Sequence, residues 1–162
     1  GVRPTDKMPN NVIHLGLAAH LVPDAHVVYV ERDPVEVCWS CFRHAMAAGL
    51  PWATSLEGLA AWTIGVHRLM THWKAVLPLP IHTVRYEELV TAPESTVRRL
   101  LGGLDLPFEA ACLRPHESAH IANTLSIDAV KEPIHDRALH RSAPYREWLT
   151  PLAQVLGKAG LH

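Results

Sequence analysis

The sequence has few cysteines, no excess of either charge and no long apolar run. Three cysteines in 162 residues do not suggest a disulfide framework. The chain has 15 Lys and Arg and 16 Asp and Glu, which gives a formal net charge of −1. Because there is no overall basic excess to attract nucleic acid, any anion-binding site must be formed by a local group of residues. No apolar run reaches about 20 residues, the length that spans a bilayer. These absences predict a protein of the cytoplasm with no nucleic-acid partner and no membrane span.

The chain also lacks an initiating methionine and the apolar region of a signal peptide. It begins with the polar stretch GVRPTDKMPNN, which reads as a loop. With 48% hydrophobic and 19% charged residues, the chain is long enough to form one globular domain with a core. We therefore predict a single domain over residues 1–162 and expect it to be part of a domain that begins upstream.

Two apolar stretches are predicted to be strands. HVVYVER at 26–32 has the unbroken apolar run of a parallel strand covered on both faces, and IHTVRYEELV at 81–90 begins with alternating side chains. Helical patterns occupy 10–21, 33–48 with Asp33 as cap, 55–77 with Ser55 as cap, 92–104, 107–113 and 145–161, and the stretch 114–142 is irregular. Apolar residues recur at helical spacing in 55–77, so Trp62 and Trp73 are predicted to pack in the core.

Strands that alternate with helices predict an α/β architecture with a parallel sheet flanked by helices. Two strands form a poor sheet by themselves, so we expect further strands upstream of residue 1. The strand at 26–32 would then have an unpaired edge, and such an edge invites pairing with another chain. We predict a homodimer or a domain-swapped form through this edge.

Arg32 and Ser40 stand at the junction between the first strand and the next helix. In open α/β sheets, ligands bind beyond the carboxyl ends of the strands, where Arg32 lies. Ser40 follows eight residues later, about two helical turns on. A guanidinium fork with a hydroxyl suits a phosphate, and the helix start adds backbone N–H groups. The alternative is that Arg32 pairs with Asp33 or another carboxylate and that Ser40 only packs.

Cys38 and Cys41 form a C-x-x-C pair, a spacing that also occurs in zinc and redox sites. The pair lies inside a predicted helix without a second pair, so we interpret both as small core residues on one helical face. The 12 histidines are scattered without tight ligand spacing. We therefore expect no metal, although a histidine is a candidate for a general base.

Four stretches resemble, in order, the sulfotransferase family: KMPNN, RDPVEVCWSCF, VRYEELVTAPESTVRRLLGGLDLPFEAACL and SIDAVKEPI. The resemblance covers nearly the whole chain. It is strongest to bacterial sulfotransferases that often carry tetratricopeptide repeats and to tyrosylprotein sulfotransferases. It implies a fold like that of P-loop nucleotide-binding proteins, with the N-terminal strand and its loop missing. It also implies 3′-phosphoadenosine 5′-phosphosulfate as cosubstrate, adenosine 3′,5′-bisphosphate as product, a hydroxyl-bearing acceptor and no metal.

The resemblance implies a set of nucleotide-binding residues. Arg32 and Ser40 match the pair that holds the 3′-phosphate, and Tyr86 matches a tyrosine near the nucleotide. Arg141 matches a basic residue of a late loop that folds over the nucleotide. The family has an aromatic residue after this position, and this chain has Ser142, so the loop is expected to close differently.

Two further residues are implied at the reacting centre. Lys7 matches a lysine that approaches the sulfuryl group and the leaving phosphate oxygen, and Ser126 matches a serine of the same centre. The glycine-rich loop with which the family cradles the 5′-phosphosulfate has no counterpart in the sequence. The chain would thus carry the 3′-phosphate half of the site, with weak nucleotide binding and little or no turnover by itself.

Three functions are considered for a chain with these residues. The first is a sulfotransferase that acts on a hydroxyl or tyrosyl acceptor, and the alternative is a non-catalytic nucleotide-binding or protein-interaction module of the same fold. A nucleotide kinase would need a glycine-rich loop with Lys-Ser or Lys-Thr and a magnesium-binding carboxylate at a strand end, and neither is found. The acceptor is not identified, because the loops expected to line its pocket, 45–56 and 114–142, carry no distinguishing motif.

Overall fold

A computed structural model describes residues 3–43, 51–117 and 132–162. At its centre is a parallel pair of strands, β1 (Val27–Glu31) and β2 (Ile81–Arg85), in register with Val27 opposite Ile81. The predicted α/β architecture with a parallel sheet is confirmed. Because the strands are parallel, their carboxyl ends lie at the same edge of the sheet, and the residues that follow each strand are brought together there.

Helices connect the strands and pack against the sheet. They are α1 (Leu15–Leu21), α2 (Pro34–Arg43), α3 (Leu56–Val76), α4 (Tyr86–Thr91), α5 (Pro93–Gly103) and α6 (Thr150–Lys158), with 3₁₀ turns at Pro9–His14, Pro51–Thr54, Ala110–Leu113, Pro115–Glu117 and Ala143–Tyr145. α2 and α3 lie in the crossover between β1 and β2. Ser55 caps α3 as predicted, since its hydroxyl accepts a hydrogen bond from the Gly58 N–H at 3.0 Å.

Two apolar clusters form the core. The first lies between the sheet, α1 and α3, and its buried members are Val12, Leu15 and Met70. Trp73 packs against it and donates its indole N–H to the backbone oxygen of Val12 at 2.7 Å, so its predicted core position is confirmed. The second cluster joins α2, α3 and α6, and its buried members are Cys38, Ala53, Leu59, Ala60, Leu149, Leu152 and Leu156.

The second strand is shorter than the sequence pattern predicts. β2 ends at Arg85, and the remaining predicted strand residues form α4. Glu87 and Glu88 stand in the first turn of that helix, where the helix dipole favours acidic side chains. The alternation of side chains between the two faces of β2 therefore ends at Arg85, and Tyr86 begins a helix rather than ending a strand.

The outer helices also begin differently from the prediction. The first predicted helix, 10–21, opens as a 3₁₀ turn and becomes α-helical only at Leu15. The last predicted helix, 145–161, is α-helical from Thr150, after a separate 3₁₀ turn. Helix ends often tighten into 3₁₀ geometry, which local sequence patterns do not distinguish from α-helix.

In residues 3–43, 51–117 and 132–162, nothing pairs with one edge of β1, and one of its faces is exposed. Among the described residues, β1 pairs with β2 alone, and Val28 and Val30 are 42% and 53% exposed. The predicted cover on both faces is wrong for this part of the chain, whereas the open edge agrees with the prediction. A homodimer through that edge stays a prediction. No helix in the described ranges is long and apolar enough to cross a bilayer.

Two glycines of α3 are expected to respond oppositely to alanine. A Cβ on Gly58 would overlap the backbone oxygen of Trp52, whereas a Cβ on Gly65 would meet nothing within 4 Å. Gly58→Ala should therefore lower the free energy of unfolding by about 1–3 kcal/mol, and Gly65→Ala should raise it by about 0.5–1 kcal/mol. Urea denaturation of both variants measures the difference, and a stabilised Gly58→Ala variant would contradict the close approach of α3 to the Pro51–Thr54 turn.

Candidate functional site

Arg32 lies directly after β1, at the carboxyl end of the sheet. Its guanidinium carbon is 4.7 Å from the ring centroid of Tyr86. The guanidinium also donates a hydrogen bond to the backbone oxygen of Ala138 at 2.5 Å and lies 3.5 Å from the carboxylate of Glu36. Its Nε is buried and has no hydrogen-bond partner among the described residues. A guanidinium contacted on three sides has a fixed direction, which favours recognition of a planar or tetrahedral oxyanion.

Glu36 is a buried carboxylate that the sequence analysis did not single out. It lies in the first turn of α2 and is 4% exposed. One carboxylate oxygen accepts hydrogen bonds from the Ser142 N–H at 2.9 Å and from the Ser142 hydroxyl at 2.6 Å. Arg32 thus pairs with a carboxylate, as the alternative interpretation proposed, and the partner is Glu36 rather than Asp33. The sequence signal for this pair is the spacing of four residues between Arg32 and Glu36.

Two acidic residues hold the start of α2 in place. Asp33 caps the helix as predicted, because its carboxylate accepts a hydrogen bond from the Glu36 N–H at 2.9 Å. Glu87, in the first turn of α4, accepts a hydrogen bond from the Asp33 N–H at 2.7 Å. The β2–α4 junction is thereby attached to the β1–α2 junction. This attachment keeps the ring of Tyr86 against the guanidinium of Arg32.

Three of the other residues predicted for the site lie in the part of the chain that the structure describes. Ser40 is half-buried on α2, Arg141 is exposed, and Lys7 is exposed in the N-terminal loop. No hydrogen bond or ion pair between described residues joins these three side chains to the pair. Ser126 lies outside the described residues. The roles that the resemblance implies for these residues stay predictions.

A cavity of about 540 Å³ opens beside Arg32, within the size range of small-molecule sites. Its basic side chains are Arg32, His67, Arg85 and His162, and α2 and α3 contribute apolar walls. Trp62 lines it and stacks on Trp52, with ring centroids 4.5 Å apart. The predicted core position of Trp62 is therefore only partly confirmed, because one side of this half-buried residue borders the cavity.

One cysteine of the C-x-x-C pair, Cys38, lies in the core as predicted. Burial raises the pKa of the Cys38 thiol and that of the Cys41 thiol, which keeps both protonated near neutral pH and weak as nucleophiles or metal ligands. Cys38 is fully buried, as predicted, and its sulfur lies 3.3 Å from the hydroxyl of Thr63. Cys41 is half-buried and borders the cavity. In residues 3–43, 51–117 and 132–162, no three His, Cys, Asp or Glu side chains are grouped as metal ligands.

Three comparisons relate the chain to known proteins. The model of the sulfotransferase family matches residues 3–110. An uncharacterized protein of Aquifex aeolicus (strain VF5) is 27% identical over 157 residues, a match that covers 95% of this chain and 21% of that protein. A solved sulfotransferase domain from the curacin biosynthetic pathway has the same fold, with a TM-score of 0.69 at 19% identity. That match covers 97% of this chain and 62% of the solved chain, so this chain spans about a fifth of the first relative and less than two thirds of the second.

Proposed function

This chain belongs to the sulfotransferase family, and on that premise we propose that it serves sulfuryl transfer from 3′-phosphoadenosine 5′-phosphosulfate to a hydroxyl or tyrosyl acceptor. We assign to it the half of the site that binds the 3′-phosphate. The nucleotide supplies the sulfuryl group when bound. The task of the protein is to position the reactants and to neutralise the charge that develops on the leaving oxygen.

The buried Nε of Arg32 is the observation that carries this proposal. Buried N–H groups almost always have a hydrogen-bond partner, and this one has none among the described residues. It belongs to a guanidinium that is stacked on Tyr86 at the carboxyl end of the sheet. A phosphate oxygen is a suitable partner, because arginine donates to phosphates in a fixed, bidentate geometry. The unpartnered donor supports the proposal that Arg32 binds the 3′-phosphate.

The remaining residues receive their roles from the resemblance. We propose that Ser40 donates its hydroxyl and Arg141 its charge to the same 3′-phosphate. Lys7 is proposed to neutralise the leaving oxygen; Pro9, two residues further on, lines the 540 Å³ cavity, so the Lys7 loop borders that space. Ser126 is proposed to donate a hydrogen bond at the same centre.

A non-catalytic module is the second candidate function. It is favoured by the contacts that Arg32 already makes within the chain, to the Glu36 carboxylate at 3.5 Å and to the backbone oxygen of Ala138 at 2.5 Å. A nucleotide-binding module would bind the 3′-phosphate as the transferase would and would differ from it in turnover, whereas a protein-interaction module would bind no nucleotide. Release of adenosine 3′,5′-bisphosphate from 3′-phosphoadenosine 5′-phosphosulfate in the presence of a phenol would favour the transferase.

Calorimetric titration tests the 3′-phosphate site directly. The chain is titrated with adenosine 3′,5′-bisphosphate and, as a control that lacks the 3′-phosphate, with 5′-AMP. We expect the bisphosphate to bind at least about tenfold more tightly, since one hydrogen bond to a charged group contributes roughly 1.5–3 kcal/mol. Equal affinities, or no binding of either nucleotide to a sample that melts cooperatively, would refute the proposal.

A further inference from the structure

The segment 136–142 is held against α2 by contacts that converge on Arg32 and Glu36. Ser142 donates two hydrogen bonds to one oxygen of Glu36, at 2.9 Å from its N–H and at 2.6 Å from its hydroxyl. Ala138 accepts the hydrogen bond of Arg32 at 2.5 Å. Each contact joins residues that are 106 positions apart in sequence. They therefore reflect tertiary docking of the segment and not a local turn.

The burial of Glu36 makes this docking strong. Glu36 is 4% exposed, and hydrogen bonds to an ionised acceptor are about twice as strong as neutral ones. If Ser142 moved away, the carboxylate would keep only the arginine contact at 3.5 Å, which is too long for a hydrogen bond. A buried carboxylate without donors is strongly unfavourable. Glu36 therefore favours the docked position of Ser142.

We propose that Ser142 is a positioning residue that, through Glu36, fixes the backbone of Arg141 so that Arg141 and Arg32 can contact one 3′-phosphate. This inference rests on the proposed function, because it assigns both arginines to that ligand. Adjacent Cα atoms are about 3.8 Å apart, so an anchored Ser142 restricts the backbone of Arg141. The side chain of Arg141 is exposed and is not buried by the docking.

Ser142 is a suitable residue for a test because it carries no charge. Replacement of Glu36 would change two things at once, the docking of the segment and the electrostatic potential at Arg32. Ser142→Ala removes only the hydroxyl donor at 2.6 Å and leaves the backbone donor in place. An effect of Ser142→Ala on nucleotide binding would therefore report the position of the segment 136–142 and not a change in charge.

Nucleotide titrations test whether Ser142 positions Arg141. The variants are Ser142→Ala, Ser142→Thr, Arg141→Ala and the double variant Arg141→Ala/Ser142→Ala. Ser142→Ala is expected to weaken binding of adenosine 3′,5′-bisphosphate about fivefold, which corresponds to one lost hydrogen bond of about 1 kcal/mol, and to leave the affinity for 5′-AMP unchanged. Ser142→Thr keeps the hydroxyl and should retain the wild-type affinity. In an Arg141→Ala background, Ser142→Ala should have no further effect, because the residue that it positions is gone.

Hydrogen exchange provides a readout that needs no ligand. Amides in a peptide that covers 138–142 should exchange faster in Ser142→Ala than in the wild type or in Ser142→Thr. Ser95→Ala is the matched control, because the hydroxyl of Ser95 donates to the backbone oxygen of Ala92 at 3.1 Å at an exposed position. It should alter neither the exchange of 138–142 nor the nucleotide affinity.

The outcomes separate this inference from the proposed function. If the wild type prefers the bisphosphate and Ser142→Ala binds it equally well, the positioning role is wrong and the proposed function stands. Faster exchange without weaker binding would also refute the positioning role, since the contact would then be structural only. If the wild type shows no preference for the bisphosphate, the proposed function fails, and the positioning role fails with it.

Discussion

Arg32→Ala is expected to remove the preference for adenosine 3′,5′-bisphosphate over 5′-AMP. Arg32 is the residue whose guanidinium is oriented by Tyr86 and whose buried Nε has no partner among the described residues. Loss of a bidentate, charge-assisted contact is expected to weaken bisphosphate binding by roughly 3 kcal/mol, a factor of about 100 in Kd. Binding of 5′-AMP should change little, because it lacks the phosphate concerned. Calorimetric titration with both nucleotides measures the two effects in one sample.

Two further variants control this experiment. Arg32→Lys keeps the positive charge without the planar fork, and it should give an intermediate affinity. Arg98→Ala removes an arginine that is paired with Glu94 at an exposed position on α5, and it should bind as the wild type does. Arg32→Ala also deprives the buried Glu36 of its cation, so its melting temperature is measured first and the titration is done well below it. A full bisphosphate preference in a folded Arg32→Ala variant would contradict the assignment of Arg32.

Leu156→Ala is expected to destabilise the protein more than a typical surface substitution. Leu156 is 0% exposed in the cluster that joins α6 to α2 and α3. Truncation of a buried leucine leaves a cavity and costs about 2–5 kcal/mol. For a domain of this size, each kcal/mol lowers Tm by about 2–4 °C, so a loss of about 3 kcal/mol lowers Tm by about 6–12 °C. Thermal and urea denaturation, followed by circular dichroism, measure both quantities.

The neighbouring residue is the control for this substitution. Val155 is 48% exposed on the same helix, and Val155→Ala should change the free energy of unfolding by less than about 0.5 kcal/mol. Since alanine has the highest helix propensity, a comparable loss in both variants would contradict the assignment of Leu156, and not Val155, to the core. A small loss in Leu156→Ala would mean that α6 is not packed into the second core cluster.

The strands and helix caps show what local patterns can predict. The apolar run of β1, the proline and aspartate at the start of α2 and the serine before α3 act within a few residues, and the structure has these elements where they were expected. The end of β2 was missed because the alternating pattern continues for too few residues to separate a strand from a helix. The position of Arg32 at the end of a parallel strand follows from such local signals.

Less of the candidate site than of the fold could be predicted from the sequence. The sequence by itself determined that an arginine follows β1, that Asp33 caps α2 and that the order of motifs resembles a sulfotransferase, because these features reside in neighbouring residues. Only the tertiary structure decided that Tyr86 lies against Arg32 and that Ser142 donates to a buried Glu36. The physical reason is that these contacts join residues 54 and 106 positions apart, as the Asp33–Glu87 and Ser142–Glu36 hydrogen bonds show. Such contacts arise from the packing of whole elements, which leaves no periodic pattern in either segment.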